Sequence, residues 1–166
     1  AIQLGLNENV IREGLRTFKG VKRRFEYYIK SPQLVYVDDY AHHPTELKAL
    51  IDSLKLLYPG RKITGVFQPH LFSRTRDFLT GFIEQLSRFD TSIVMPIYPA
   101  RELPIPGVSS NMIVEQLTNQ DKYLLGPQDV LQYLTDTDVD IVVTVGAGDI
   151  DRIVEPLASI LREKLG

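Results

Sequence analysis

Short β-branched runs alternate along this chain with segments whose apolar residues recur every three or four positions, and that alternation leaves few folds open. The last cycle is the clearest. Val139 to Val145 is dominated by β-branched residues, Gly146-Ala147-Gly148 reads as a turn, and Ile150, Ile153, Val154, Leu157 and Ile160 form one apolar stripe. Pro156 should bend that helix or lie in its first turn. Earlier cycles follow the same pattern. Asn7 can cap a helix over 7–18, with Val10, Ile11, Leu15 and Phe18 at helical spacing and Gly20 as its stop. Strands are expected over 22–30 and 34–39, split by Ser31-Pro32 and plausibly a hairpin. Pro44 suits a helix start, Glu46 lies three residues after His43, and Leu47, Leu50, Ile51 and Leu54 share one face. A strand over 63–68, a helix carrying Phe78, Phe82 and Leu86, and a strand over 92–97 come next. Tyr98 to Val108 contains Pro99, Pro104, Pro106 and Gly107 and must be a loop. Beyond it, Ser109 or Ser110 caps a short helix, and a short strand over 122–125 and a short helix over 127–134 complete the pattern.

Strand–helix alternation implies right-handed crossovers and a mostly parallel sheet with helices on both faces, an α/β three-layer domain. The 166 residues suit one such domain, burying roughly 70% of the unfolded surface. With 43% hydrophobic and 24% charged residues, disorder is excluded. A formal charge of −2 lacks the positive field that non-specific nucleic-acid binding needs. The absence of cysteine removes disulfides, thiolate metal sites and thiol nucleophiles, and fits a reducing cytoplasm. No apolar run or basic-then-apolar leader marks a membrane span or export signal. The chain opens on a helical pattern, as a piece cut from a longer protein would.

Ligands of open α/β sheets bind beyond the carboxyl ends of the strands, so the loops that follow the strands are the place to look for function. Segments 38–44 (Asp-Asp-Tyr-Ala-His-His-Pro), 68–77, 98–102 and 146–149 should therefore share one rim, and every histidine of the chain, His42, His43 and His70, lies in them. Asp38 and Asp39 with these imidazoles could hold a divalent metal, the basis of an alternative reading as a metal-dependent phosphohydrolase. The plainer reading is that one aspartate caps the next helix. Arg74 and Arg76 suit a carboxylate or phosphate. At a helix start they would oppose the dipole at ~0.3 to 1 kcal/mol each, which favours a nearby anion, although pairing with Asp77 and surface acids is the ordinary alternative. Lys22-Arg23-Arg24 reads as a solvated strand edge. Gly146-Ala147-Gly148 is a tight turn rather than a dinucleotide loop, since Asp151 stands where a third glycine would be. Neither Gly-Lys-Ser/Thr nor Gly-x-Ser-x-Gly occurs.

Arg23-Arg24-Phe25, the segment from Asp38 to Glu46, Phe67-Gln68-Pro69-His70 and Ser73-Arg74-Thr75-Arg76-Asp77 together resemble the C-terminal domain of the Mur ligases. Tyr98-Pro99-Ala100, Pro104-Ile105-Pro106-Gly107 and Gly146 to Asp149 fit the same pattern, in order, over essentially the whole chain. The resemblance implies a Rossmann-like domain of a bacterial cytoplasmic enzyme of peptidoglycan synthesis, one that uses ATP and Mg²⁺ to join L-alanine to UDP-N-acetylmuramate. Residues 1–19 would be the trailing helix of the preceding ATPase domain, and 20–166 the C-terminal domain. Arg24 and Asp39 resemble the family's ATP-contacting arginine and ribose-binding aspartate. Tyr40, His42, His70 and Arg74 resemble the amino-acid pocket, with Arg74 on the carboxylate and an imidazole available to the amine. Leu71 stands where several members carry a second arginine, placing more of the anion recognition on Arg74. The family's phosphate loop and magnesium ligands are missing from this sequence, so the chain alone is expected to catalyse nothing, to contain no catalytic residue of its own and to hold no metal. A stand-alone nucleotide or amino-acid binding module is the remaining alternative.

Overall fold

The computed structural model describes residues 2–18 and 20–166, so Ala1 and Lys19 of the expected leading helical segment lie outside the described residues. The elements run α1 (Glu8–Thr17), β1 (Glu26–Lys30), β2 (Val35–Asp39), α2 (Pro44–Leu57), β3 (Ile63–Phe67), α3 (Phe72–Asp77), α4 (Leu79–Leu86), β4 (Thr91–Val94), α5 (Asn111–Gln116), β5 (Asp121–Leu124), α6 (Pro127–Asp136), β6 (Ile141–Val145) and α7 (Asp151–Glu163). The strands make one six-stranded sheet in the order β1-β2-β6-β3-β4-β5. Only β1 is antiparallel, joined to β2 as the expected hairpin with an irregularity between Tyr27 and Ile29. The remaining pairs are parallel.

Alternation along the strands splits the core in two. Val35, Val37, Ile141, Val143 and Val145 face Leu47, Ile51, Leu54, Phe82, Leu86 and Ile113 of α2, α4 and α5. Tyr36, Val142, Val66 and Ile93 face Val130 and Leu134 of α6 and Ile153, Val154 and Leu157 of α7. Both faces are therefore dry, which is why the central strands read as continuous apolar runs. The register pairs Asp39 with Val145, Val145 with Phe67, and Phe67 with Val94, bringing four strand ends to one edge. A parallel bridge between His70 and Tyr98 extends that edge into the loops.

Several expected boundaries move. The strand expected over 92–97 ends at Val94, because after the bond from Met95 N–H to the Phe67 carbonyl Pro96 has no N–H to continue the ladder. The helix expected after β3 is two, α3 and α4, divided at Phe78, whose φ of −112° and ψ of 18° depart from helical values. Pro156 lies inside α7, past its first turn. The amphipathic helix α1 buries no residue, and Val10, Leu15 and Phe18 are open to solvent.

Gly65 in β3 has a packing reason. A Cβ there would lie 2.3 Å from ring atoms of the buried Phe89. Gly65→Ala is expected to cost about 1 to 3 kcal/mol by forcing that ring out of place. A thermal melt should then shift down by several degrees, at about 2 to 4 °C per kcal/mol for a chain of this size. An unchanged melting temperature would show that the ring gives way freely.

Candidate functional site

The rim is organised by a carboxylate that the sheet has taken out of water. Asp38, at the end of β2, is 1% exposed. One oxygen accepts from Thr144 Oγ1 at 2.7 Å and the other from Arg23 Nε at 2.9 Å. With the Thr144 proton committed to Asp38, Tyr36 OH, 3.1 Å from Thr144 Oγ1, acts as donor to that hydroxyl. Arg23 Nη2 donates onward to the Gly146 carbonyl at 2.6 Å, tying the segment before β1 to the turn after β6. Burial pushes the Asp38 carboxyl up, while Thr144 and Arg23 pull it back. Arg23 is thus a half-buried clamp and not the solvated edge that its basic run suggested.

Asp39 has a different task. Its oxygens accept from the Phe25 N–H at 2.7 Å and the Ala41 N–H at 2.8 Å. Burial raises its carboxyl, and those N–H groups and Arg24 oppose the rise. Neither aspartate caps α2. That cap is His43, whose Nδ1 accepts from Thr45 N–H while Glu46 reaches back to the His43 and His42 N–H groups. Arg24, Phe25, Asp39, Glu46, Ala49, Leu50 and Ser53 line a groove of about 290 Å³ beside this corner.

From that groove a row of side chains crosses the rim. The Arg24 and Arg23 guanidiniums lie 5.8 and 5.1 Å from the Tyr40 ring centre. Tyr40 meets His42 edge-on at 5.3 Å, and His42 meets His70 at 6.2 Å. His70 stacks on Tyr98 at 5.7 Å and lies 3.3 Å, through Nδ1, from Arg74 Nη1. All six residues expected to contact ligands, Arg24, Asp39, Tyr40, His42, His70 and Arg74, are therefore neighbours along one edge. His43 diverges from them to pack on Phe78 at 4.5 Å.

The hydrogen bonds assign the imidazoles. His42 Nδ1 is 2.9 Å from the Tyr40 carbonyl, which can only accept, so Nδ1 carries a proton, and in the neutral ring the lone pair is on Nε2. His70 is the reverse, since its Nδ1 accepts from an arginine. Burial, then Arg74 and His42, hold the His70 imidazolium below its ordinary range, with Glu102 opposing. Arg76 pairs with Asp77, but Arg74 has no carboxylate within ion-pair distance among the described residues. Contrary to the expectation from sequence, these arginines do not oppose a helix dipole. Because α3 spans only Phe72–Asp77, both lie in its last turn, where cations are favourable.

The metal reading finds no support in this geometry. Among the described residues, no group of three or more His, Asp or Glu side chains is disposed to hold a metal ion. Asp38 is spent on Arg23 and Thr144. Nor is the Gly146 to Asp149 turn a phosphate cradle. Buried Gln68 fills it, donating to Asp149 Oδ1 at 2.7 Å and accepting from Ile150 N–H at 2.8 Å. A Cβ at Gly148 would lie 2.3 Å from Gln68 Oε1 and 2.6 Å from Tyr98 Cβ. Gln68 and Arg23 escaped the sequence reading because their partners are remote in the chain and no periodicity marks them.

The fold and this rim are those of a domain found in a family of ligases. Residues 23–148 match the family described as "Mur ligase, glutamate ligase domain", and the chain belongs to it. It is 48% identical over 161 residues to the UDP-N-acetylmuramate–L-alanine ligase of Flavobacterium johnsoniae, covering 97% of this chain and 36% of that protein. The chain thus spans about a third of the length of the curated relatives it matches. The crystal structure of the UDP-N-acetylmuramate–alanine ligase of Thermotoga maritima superposes with a TM-score of 0.78 at 24% identity, over 98% of this chain and 35% of that one. The folylpolyglutamate synthase/dihydrofolate synthase of Yersinia pestis, solved with AMPPNP and a manganese ion, shares the fold at a TM-score of 0.62 and 21% identity, over 97% and 35%. No helix among the described residues is long and apolar enough to cross a membrane.

The depressed His70 gives a pH signature. Unfolded His70 titrates near its ordinary ~6.5, above the folded value, so in the window between the two the unfolded chain binds more protons. Stability should fall as pH drops through that window. Urea unfolding from about pH 8 to about pH 5 should show a smaller loss for His70→Asn, which keeps an acceptor for Arg74, than for the wild type. Equal losses would show that His70 is not depressed.

Proposed function

We propose that this chain is the C-terminal part of an ATP-dependent ligase that joins L-alanine to UDP-N-acetylmuramate in bacterial cytoplasmic peptidoglycan synthesis. Residues 1–19 are read as the trailing helix of the preceding ATPase domain, a reading supported by the uncovered apolar side of α1, and 20–166 as the domain that closes over nucleotide and amino acid. In the reaction, the muramoyl carboxylate takes the γ-phosphoryl group of ATP. The alanine amine then attacks the acyl phosphate, phosphate leaves with the bonding pair, and the amine loses its proton.

The observation that carries the reading is Arg74, a guanidinium with no carboxylate partner among the described residues, set beside a neutral imidazole. Its planar fork suits the alanine carboxylate. In its neutral form His42 is better placed than His70 to accept from the amine, because its Nε2 is clear of the Tyr40 contact whereas the His70 acceptor nitrogen faces Arg74. Tyr40 backs this row. On the far side of Tyr40, the groove offers what a nucleoside needs. Phe25 and Leu50 give it apolar surface, Arg24 a cation, and Asp39 a carboxylate with lone pairs beyond those its two N–H donors occupy. Magnesium finds no ligand set among these residues, so the metal and the triphosphate are assigned to the remainder of the ligase.

In the full-length ligase, Arg74→Ala removes a charge-assisted contact of roughly 1.5 to 3 kcal/mol. The alanine KM should rise about 10- to 100-fold with little change for ATP. Arg24→Ala should act on ATP instead, and Lys at position 74 should rescue only in part. An unchanged alanine KM in well-folded Arg74→Ala would contradict the placement. The chain by itself, lacking a Gly-Lys-Ser/Thr loop, should hydrolyse no ATP, and magnesium-dependent turnover by the pure 166-residue protein would count against the reading.

A further inference from the structure

The proline-rich loop after β4 has no assigned task, yet it makes the firmest side-chain contact with the helix that carries Arg74. Helix α3 begins without a cap of its own, since Leu71 supplies no side-chain hydrogen bond to it. Leu71 also sits at φ 71° and ψ 136°, a region that residues with a side chain seldom occupy. Both deficits are met from Tyr98 to Glu102. The Tyr98 carbonyl accepts from the Leu71 N–H at 2.9 Å, while Tyr98 N–H donates to the Pro69 carbonyl at 2.8 Å. Glu102 then accepts from the Ser73 N–H at 2.9 Å through one oxygen and from Ser73 Oγ through the other. A carboxylate from a distant loop thereby caps α3 at the residue next to Arg74.

We propose that Glu102 is a positioning residue for the amino-acid site, holding the first turn of α3 so that the Arg74 guanidinium and the His70 ring keep the arrangement that receives the alanine carboxylate. This rests on the reading of Arg74 given above. The capping geometry fixes where Arg74 starts, and the Tyr98 ring fixes the plane of His70. The charge matters as well as the contact. The groups that face His70 are Arg74 from α3, His42 from the loop before α2, and Tyr98 and Glu102 from the loop after β4. Among them Glu102 is the one that favours the imidazolium. Pro99, with its ring-fixed φ, and the Glu102 N–H donating to the Pro99 carbonyl at 2.9 Å stiffen the backbone from which Glu102 reaches across.

The test uses the full-length ligase with alanine and ATP varied in turn. Glu102→Ala should raise the alanine KM by about 3- to 10-fold, the scale of a lost helix cap, and leave the ATP KM within about twofold. Ser73→Ala, which keeps the backbone donor and loses the hydroxyl, should have a smaller effect in the same direction. Because Glu102 acts through Arg74, the Glu102→Ala/Arg74→Ala double variant should be no worse in alanine KM than Arg74→Ala alone. Glu102→Gln retains an acceptor for the Ser73 N–H and removes the charge that favours the His70 imidazolium, so the His70 ring titration, followed by NMR, should move to lower pH. A purely structural role would move neither that titration nor the coupling. The inference is overturned if Arg74→Ala raises the alanine KM while Glu102→Ala does not, if the two effects multiply, or if the His70 titration stays in place in Glu102→Gln. If Arg74→Ala itself leaves the alanine KM unchanged, the amino-acid site lies elsewhere and both readings fall.

Discussion

Asp38 is a charge held at the end of a buried parallel strand, and the rim takes its shape from how that charge is neutralised. The Arg23 side chain, 19% exposed, pairs with it and donates to the Gly146 carbonyl as well. A half-satisfied buried carboxylate would be costly, so Arg23, Thr144 and Tyr36 are required together rather than separately. The consequence reaches beyond Asp38. Holding Arg23 against the sheet fixes the segment that precedes β1, with Tyr40 N–H donating to the Arg23 carbonyl at 2.7 Å and Phe25 N–H to Asp39. Arg24, between Arg23 and Phe25, is aimed toward the groove by its neighbours.

Local strain collects along the same edge. Among the described residues, the non-glycine residues with positive φ are Arg23, Phe25, Leu71 and Ala100, every one of them at the rim. Each costs of order 1 to 3 kcal/mol and persists because the surroundings over-determine it. For Arg23 and Phe25 the surroundings are Asp38, Asp39 and Glu26, whose carboxylate accepts from the Arg23 N–H. For Leu71 they are the Tyr98 carbonyl and the Glu102 cap. The core has no comparable cost, since its strands are straightforward apolar runs between helices.

That division explains what could be read from the sequence. The hairpin, the parallel sheet, the helix opened by Pro44 and the common edge for the segments at 38–44, 68–77, 98–102 and 146–149 follow from periodicity and turn chemistry, and the structure has them. The residues named for ligand contact also share one edge, because strand ends in a parallel sheet must. What stayed illegible depends on contacts between remote segments. Arg23 meets Gly146 across 123 positions, and Glu102 meets Ser73 across 29. No local pattern reveals either one. The break at Phe78 misled in a different way, since the spacing of Phe78, Phe82 and Leu86 suits a helix even though Phe78 itself is the hinge between two. Where periodicity suggests one helix there are two, so Arg74 and Arg76 lie in the last turn of the first and not at the start of the second.

On the function proposed above, this rim holds the amino acid, its carboxylate on Arg74 and its amine toward His42. The decisive experiment is a crystal structure of the full-length ligase with nucleotide and L-alanine bound. An alanine carboxylate about 3 Å from the Arg74 guanidinium, the range of a charge-assisted hydrogen bond, is expected, with the amine on the His42 side. Alanine bound away from Arg74, with the guanidinium still turned to His70, would contradict it.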